Sequence, residues 1–204
     1  YRDYFDKVWS FDIKDCEKYG LDYYPLFYLP EFEKIGLNCN KVYDISFVGS
    51  ILSDGRADFL KSFIEQIKKE GIRHKFYLFC PTRVQNLKLV LKKPSLFRYV
   101  GSKFMPLNEV LEIVKNSISM IDYPMDIQTG LTIRTFETIA AGLLLITTNS
   151  NIKREPFYNP AKIKIINSDL SDFDPDCIKE YKPEWDESFE QYSVNNWVRK
   201  ITEY

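Results

Sequence analysis

The chain has 204 residues and a formal net charge of −1, with 45% hydrophobic and 28% charged residues. These values are typical of a globular protein, and the lack of a basic excess argues against a nucleic acid partner. The four cysteines include no CxxC pair, and the single histidine, His74, excludes a multi-histidine metal site. No apolar run is long enough to span a bilayer, so we expect a cytoplasmic protein. Since the first residue is not Met, we expect a fragment that lacks an N-terminal part.

Residues 1–40 are rich in aromatic side chains and show no clear period of 2 or 3.6. We interpret them as an irregular segment that packs across the rest of the chain, or as a linker that docks through its rings. Partial disorder of this segment is a second possibility. We therefore divide the chain into a linker, residues 1–40, and a domain, residues 41–204.

From residue 42 onward, strands and helices alternate. The predicted strands are 42–50, 75–80, 96–101, 118–124, 143–149 and 161–167; the predicted helices are 55–71, 84–93, 106–117, 131–142 and a closing helix over 187–204. Strands joined by single helices favour right-handed crossovers. The pattern predicts a three-layer α/β domain, with a mostly parallel sheet of about six strands covered by helices on both faces.

Ligands of open parallel sheets bind beyond the carboxyl ends of the strands. The candidate loops are therefore 49–56, 122–132 and 147–154. The second loop contains Gln128, Thr129, Gly130 and Leu131 immediately before a predicted helix. Its backbone N–H groups and the positive end of the helix dipole can bind an anion. The alternative is a helix start that is capped and holds no ligand.

Two charged residues follow in that helix, whose apolar stripe comprises Ile133, Phe136, Ile139 and Ala140. Glu137 lies at the edge of the stripe, about 40° from Ile133, and Arg134 lies one step further round. They can form an ordinary ion pair on a solvated face. Alternatively, the carboxylate can accept both hydroxyls of a ribose while the arginine faces a phosphate. The residues alone leave these readings open.

The first loop is less specific. Gly49 lets a ligand approach the backbone closely, and Arg56 can contact a phosphate or lie on the solvated side of a helix. The loop matches neither the GxGxxG dinucleotide fingerprint nor the GxxxxGK[ST] phosphate loop. A dinucleotide-dependent oxidoreductase is therefore disfavoured. The acidic stretch "DLSDFDPD" (169–176) lacks the EF-hand spacing, and we interpret it as a solvated loop.

The pattern G-L-x-x-R-x-F-E-x-x-A-x-G-x-L-L-I-T, from Gly130 to Thr147, resembles the donor-binding half of GT-B glycosyltransferases. It is most similar to the bacterial lipopolysaccharide and capsule biosynthesis branch. "YDISFVGS" resembles the first strand of that domain, and the opening segment resembles the one that leads into it. The resemblance implies a Rossmann-like C-terminal domain that binds a nucleotide-sugar, and transfer without a metal or other cofactor. It also implies a glycan or lipid-linked acceptor bound mainly by the missing N-terminal domain, with peripheral membrane association of the full-length protein.

The resemblance also suggests roles for individual residues. Glu137 matches the ribose-binding glutamate, the second of the family's E-x7-E pair, and Arg134 would face the diphosphate beside the N–H groups of Gly130 and Leu131. The first glutamate of the pair falls at Thr129, which is not acidic. The catalytic residue and the stereochemistry are therefore left unassigned. The alternative to an enzyme is a non-catalytic nucleotide- or partner-binding module of the same fold, and we expect the fragment alone to be inactive.

Overall fold

The computed structural model describes residues 4–37, 40–51, 53–125 and 128–203. The strands are β1 (Trp9–Ser10), β2 (Asp22–Tyr23), β3 (Tyr43–Ser50), β4 (His74–Phe79), β5 (Val100–Gly101), β6 (Ser117–Asp122), β7 (Leu144–Thr147) and β8 (Ile163–Ile165). The helices are α1 (Ile13–Tyr19), α2 (Asp54–Lys69), α3 (Arg83–Lys92), α4 (Leu107–Lys115), α5 (Ile133–Ala140), α6 (Asp176–Glu180) and α7 (Val194–Thr202).

Six strands form one sheet in the order β5-β4-β3-β6-β7-β8, and every neighbouring pair is parallel. Two hydrophobic clusters cover its two faces. Along β7, Leu144 and Ile146 belong to the cluster that contains α2, whereas Leu145 belongs to the cluster that contains α4 and α5. The predicted Rossmann-like, three-layer α/β fold is confirmed. The continuous apolar run of β7 is explained by its burial on both faces.

The described part of the N-terminal segment folds back onto the domain. β1 and β2 form a small parallel pair around α1, which begins at the N-cap Asp12 and ends before Gly20, whose φ is 60°. Tyr28 and Phe32 are fully buried in the cluster that contains α5. Helix α1 was not predicted, because its 7 residues are too few to show an apolar period.

Two predicted elements differ in the structure. Residues 96–99 of the predicted third strand belong to a 3-10 helix, Pro94–Tyr99, and only Val100–Gly101 pair with β4. Pro94 favours a helical start, since its ring fixes φ and it has no N–H to pair. The predicted closing helix is divided: Glu187–Tyr192 is a 3-10 helix, and Ser193 caps the separate helix α7. Helix α6 lies at the end of the acidic stretch that we interpreted as a loop.

Candidate functional site

The strand order identifies a switch point. The chain passes from β3 outward to β4 and β5 and then returns to place β6 on the other side of β3. Because all strands are parallel, the carboxyl ends of β3 and β6 lie side by side at Ser50 and Asp122. In open α/β sheets, ligands bind in the crevice at such a reversal. Two of the three candidate loops therefore lie on either side of one crevice.

Arg56 connects these two loops. Its Nε donates to the carbonyl of Tyr123 at 2.9 Å and its Nη1 donates to the carbonyl of Ser50 at 3.0 Å. Arg56 is only 8% exposed, and its own N–H is capped by the hydroxyl of Ser53 at 3.2 Å. Arg56, which was predicted to contact a phosphate, therefore forms hydrogen bonds across the switch point in the structure. At Gly49, an added Cβ would lie 2.9 Å from Cζ of Phe47, so packing also favours glycine there.

The Gln-Thr-Gly loop already holds a carboxylate from the N-terminal segment. The N–H groups of Thr129 and Gly130 donate to Oδ2 of Asp12 at 2.9 and 2.8 Å, and the Thr129 hydroxyl donates to Oδ1. Oδ1 also accepts from the N–H of Lys14 at 2.9 Å, which caps α1. Burial alone would raise the pKa of Asp12, but these hydrogen bonds outweigh it and lower that pKa to about 2. The loop therefore binds an anion, and in the structure that anion is Asp12.

The same loop is fixed from the end of β7. The side-chain amide of Asn149 donates to the carbonyls of Thr129 and Gly130, both at 3.2 Å, and that of Asn151 donates to Thr129 at 3.1 Å. Gln128 contributes a longer bond of 3.3 Å to the carbonyl of Gly130. These asparagines lie in the third candidate loop, where no sequence motif distinguishes them. Asp12 was not predicted either, because no local pattern links that residue to a loop 117 residues away.

A second carboxylate lies beneath the start of α5. Oδ2 of Asp122 accepts from the hydroxyls of Thr132 and Thr135 at 2.8 and 2.9 Å, and Asp122 is 3% exposed. Thr132 is also the N-cap of the helix. Burial raises the pKa of Asp122, and the two threonine hydroxyls, Arg56 and Arg134 only partly offset that rise. Asp122 thus links the end of β6 to the first turn of α5.

Arg134 and Glu137 form an ion pair on the first turns of α5. Nη1 of Arg134 lies 2.5 Å from Oε2 of Glu137, and their side chains are 18% and 9% exposed. The pair is therefore largely buried and does not lie on a solvated face. Neither of these two atoms has a partner with hydrogen-bond geometry among the described residues, so the contact is electrostatic. Burial raises the pKa of Glu137, Arg134 offsets part of this rise, and Asp122 adds to it.

A small cavity of about 200 Å³ opens beside the Gln-Thr-Gly loop, between the carboxyl ends of β6 and β7. Tyr123, Gln128, Thr129 and Asn149 contribute to its wall. The side chain of Leu131, by contrast, is 4% exposed and belongs to the core, so only its backbone can face a ligand.

The described residues contain no group of three potential metal-ligating side chains. In the same part of the chain, no helix has the length and apolar character needed to cross a membrane.

No protein-family model matches this sequence, and neither does any curated protein sequence. Solved structures do resemble it. A glycosyltransferase from Rickettsia africae ESF-5 is 16% identical over 97% of this chain and 62% of that chain, with a TM-score of 0.61. The lipopolysaccharide outer core galactosyltransferase WaaB is 11% identical over 98% of this chain and 62% of that chain (TM-score 0.58). WaaG, a glycosyltransferase involved in lipopolysaccharide biosynthesis, is 15% identical over 85% of this chain and 52% of that chain, with a TM-score of 0.50.

These likenesses establish the fold as that of a Rossmann-like domain of the GT-B type. The chain spans between about half and three fifths of the length of the structures it resembles. At such low identity the resemblance extends to the backbone arrangement and not to individual side chains. The role of each site residue therefore rests on the geometry described above.

Proposed function

We propose that this chain is the donor-binding, C-terminal half of a glycosyltransferase that uses a nucleotide-sugar in the synthesis of a bacterial surface polysaccharide, lipopolysaccharide or capsule. The observation that carries the proposal is the buried Arg134–Glu137 pair on the first turns of α5, beside the crevice at the switch point. A carboxylate and a guanidinium held this close together suit a ribose and the adjoining diphosphate. The likeness to solved glycosyltransferases supports the same reading.

In this proposal, Glu137 accepts the ribose hydroxyls and Arg134 binds the diphosphate. The two side chains pair with each other in the structure, so donor binding would replace this ion pair by hydrogen bonds from the ribose hydroxyls to Glu137 and by a contact of Arg134 with the diphosphate. The dipole of α5 adds positive potential at its first turn. A guanidinium and a helix dipole can together stabilise a leaving diphosphate, so we propose transfer without a metal ion.

The contact with Asp12 defines which amides a diphosphate can use. The N–H groups of Thr129 and Gly130 are engaged by that carboxylate. A diphosphate reaches them only if Asp12 withdraws; otherwise it uses Arg134 and the N–H of Leu131. The predicted contact with Gly130 therefore depends on a movement of the N-terminal segment, which we propose to be the interdomain linker.

The test is titration of the chain with UDP, GDP, CDP and ADP, followed by ligand-observed NMR and thermal unfolding. A ligand at 100 times its Kd stabilises the fold by about 2.7 kcal/mol. We expect one nucleotide to bind, and Glu137→Gln and Glu137→Ala to weaken it, whereas Glu109→Ala, an exposed glutamate on α4, leaves it unchanged. Binding that is equally strong in all three variants would refute the assignment of Glu137.

The second candidate is a non-catalytic module of the same fold. It is favoured by Thr129, which stands where the resemblance to GT-B glycosyltransferases implies a glutamate, and by the carboxylate of Asp12 on the same loop. The full-length protein distinguishes the two, since transfer that Glu137→Ala abolishes is incompatible with a non-catalytic module. In the glycosyltransferase proposal, the full-length protein would bind a glycan or lipid-linked acceptor mainly through a preceding domain. It would also associate peripherally with the cytoplasmic face of the membrane.

A further inference from the structure

A larger cavity lies on the other side of the N-terminal segment. It measures about 530 Å³ and is bounded by the chain around β2, by the residues after β7 and by α7. Ile13 is in its wall, while the preceding residue, Asp12, contacts the Gln-Thr-Gly loop. The two cavities share no lining residue. This volume falls within the range of small-molecule sites, about 300–1,000 Å³.

Four aromatic rings form much of the wall: Tyr23, Tyr24, Tyr192 and Trp197. The Trp197 ring is held in place, because its Nε1 donates to the carbonyl of Pro25 at 2.8 Å and its centroid lies 5.7 Å from that of Tyr24. A fixed aromatic wall offers an apolar face to a ring-shaped ligand at low entropic cost. The wall therefore offers an apolar face on which the ring of a ligand can pack.

The cavity also contains a carboxylate without a cationic partner. Glu155 is 7% exposed, and its Oε1 accepts a hydrogen bond from the hydroxyl of Tyr23. No described residue donates to its Oε2 or forms an ion pair with it. Burial raises the pKa of Glu155, and the bond from Tyr23 offsets part of that rise. A buried acceptor with spare capacity suits a ligand that carries hydroxyl donors.

Two basic side chains, Arg154 and Lys200, line the same cavity and are exposed. Lys200 Nζ lies 5.5 Å from the centre of the Tyr24 ring. Neither basic group is paired with a carboxylate of the described residues. They provide positive charge for an anionic group at the edge of a ligand.

We propose that this cavity binds a saccharide that carries a carboxylate or phosphate group. The sugar ring packs on the aromatic wall, a hydroxyl donates to Glu155, and the anionic group lies near Arg154 and Lys200. The inference rests on the proposed function, because such a saccharide would be the acceptor or its terminal unit. The domain would then contribute to acceptor binding as well as to donor binding.

The experiment uses saturation-transfer NMR on the 204-residue chain with glucose, glucuronic acid and glucose 6-phosphate. We expect at least one of the two anionic sugars to bind about fivefold or more tightly than glucose. Arg154→Ala and Lys200→Ala should remove that preference, and Glu155→Gln should weaken all three sugars by a similar factor. Lys153→Ala is the matched control, since it neighbours Arg154 but does not line the cavity. Circular dichroism and thermal unfolding verify that each variant is folded.

Absence of sugar binding, or binding that the three cavity variants do not change, would overturn the inference. The nucleotide titration on the same samples separates it from the proposed function. If the chain binds a nucleotide but no saccharide, only the saccharide site is refuted. If it binds a saccharide but no nucleotide, only the donor site is refuted. If Glu155→Gln abolishes nucleotide binding while Glu137→Ala does not, the cavity is a nucleotide site and both proposals fail.

Discussion

Oδ2 of Asp12 lies 2.8 Å from the backbone nitrogen of Gly130, although 118 positions separate the two residues. The approach is close enough that a Cβ at Gly130 would come within 2.5 Å of the carbonyl oxygen of Phe11. The contact therefore joins the N-terminal segment to the loop that precedes α5. It makes the position of that segment and the anion-binding capacity of the loop interdependent.

Replacing Asp12 should destabilise the protein. In Asp12→Ala, the N–H groups of Thr129, Gly130 and Lys14 lose their acceptor, which costs about 1–3 kcal/mol of unfolding free energy. Urea denaturation measures the change, and Asp15→Ala, an exposed aspartate on α1, serves as the control. Equal stabilities of the two variants would show that the carboxylate does not hold the segment in solution.

The same contact has a defined pH dependence. Because folding lowers the pKa of Asp12 from 3.8 to about 2, its ionised form contributes stability above pH 3.8. That contribution is lost as the pH falls through about 2. The stability difference between the wild type and Asp12→Asn should therefore shrink over this interval. A difference that stays constant from pH 5 to pH 2 would contradict the lowered pKa.

The pH dependence of stability that Asp122 causes should have the opposite sign to that of Asp12. Burial raises its pKa, so its contribution to stability is complete below the unfolded-state value of 3.8 and is lost as the pH rises through the folded-state value. Relative to Asp122→Asn, the wild type should become less stable as the pH rises above 3.8. Denaturation series of the two proteins at several pH values test this. Asp122→Ala should be less stable than Asp122→Asn by about 1–3 kcal/mol, because Thr132 and Thr135 lose their acceptor.

The guanidinium of Arg56 should be difficult to replace. It donates to the carbonyl of Ser50 at the end of β3 and to that of Tyr123 just after β6, and a lysine cannot reproduce this planar fork. We expect Arg56→Lys to lower the unfolding free energy by about 1–3 kcal/mol. Lys69→Ala, at the exposed end of the same helix, should change it by less than about 0.5 kcal/mol. Similar changes in unfolding free energy for both variants would mean that the hydrogen bonds of Arg56 across the switch point contribute little to stability.

The isolated chain should transfer no sugar. It spans about three fifths of the Rickettsia africae enzyme and of WaaB, and we propose that a preceding domain binds most of the acceptor. Mass spectrometry of reactions with nucleotide-sugars and candidate acceptors provides the measurement, with the full-length protein as the positive control. Sugar transfer detected with the isolated chain would disprove this prediction.

Much of the architecture was predictable from local patterns. The strand over 42–50 was placed within a few residues from its run of β-branched and aromatic residues, and the helix over 55–71 from the helical spacing of its apolar residues. One short apolar run was assigned wrongly. Residues 96–99 of the 3-10 helix Pro94–Tyr99 were predicted as part of a strand, because a short apolar run does not distinguish the two.

For the site, local sequence patterns sufficed to predict that a Gln-Thr-Gly loop precedes a helix that carries Arg134 and Glu137, since these features depend on neighbours along the chain. What these residues contact depends on the folded domain. The strand order placed β6 beside β3, burial turned the Arg134–Glu137 pair inward, and Asp12 was brought onto the loop. Such contacts join distant segments through packing of the whole domain, and no periodicity in one segment encodes its distant partner.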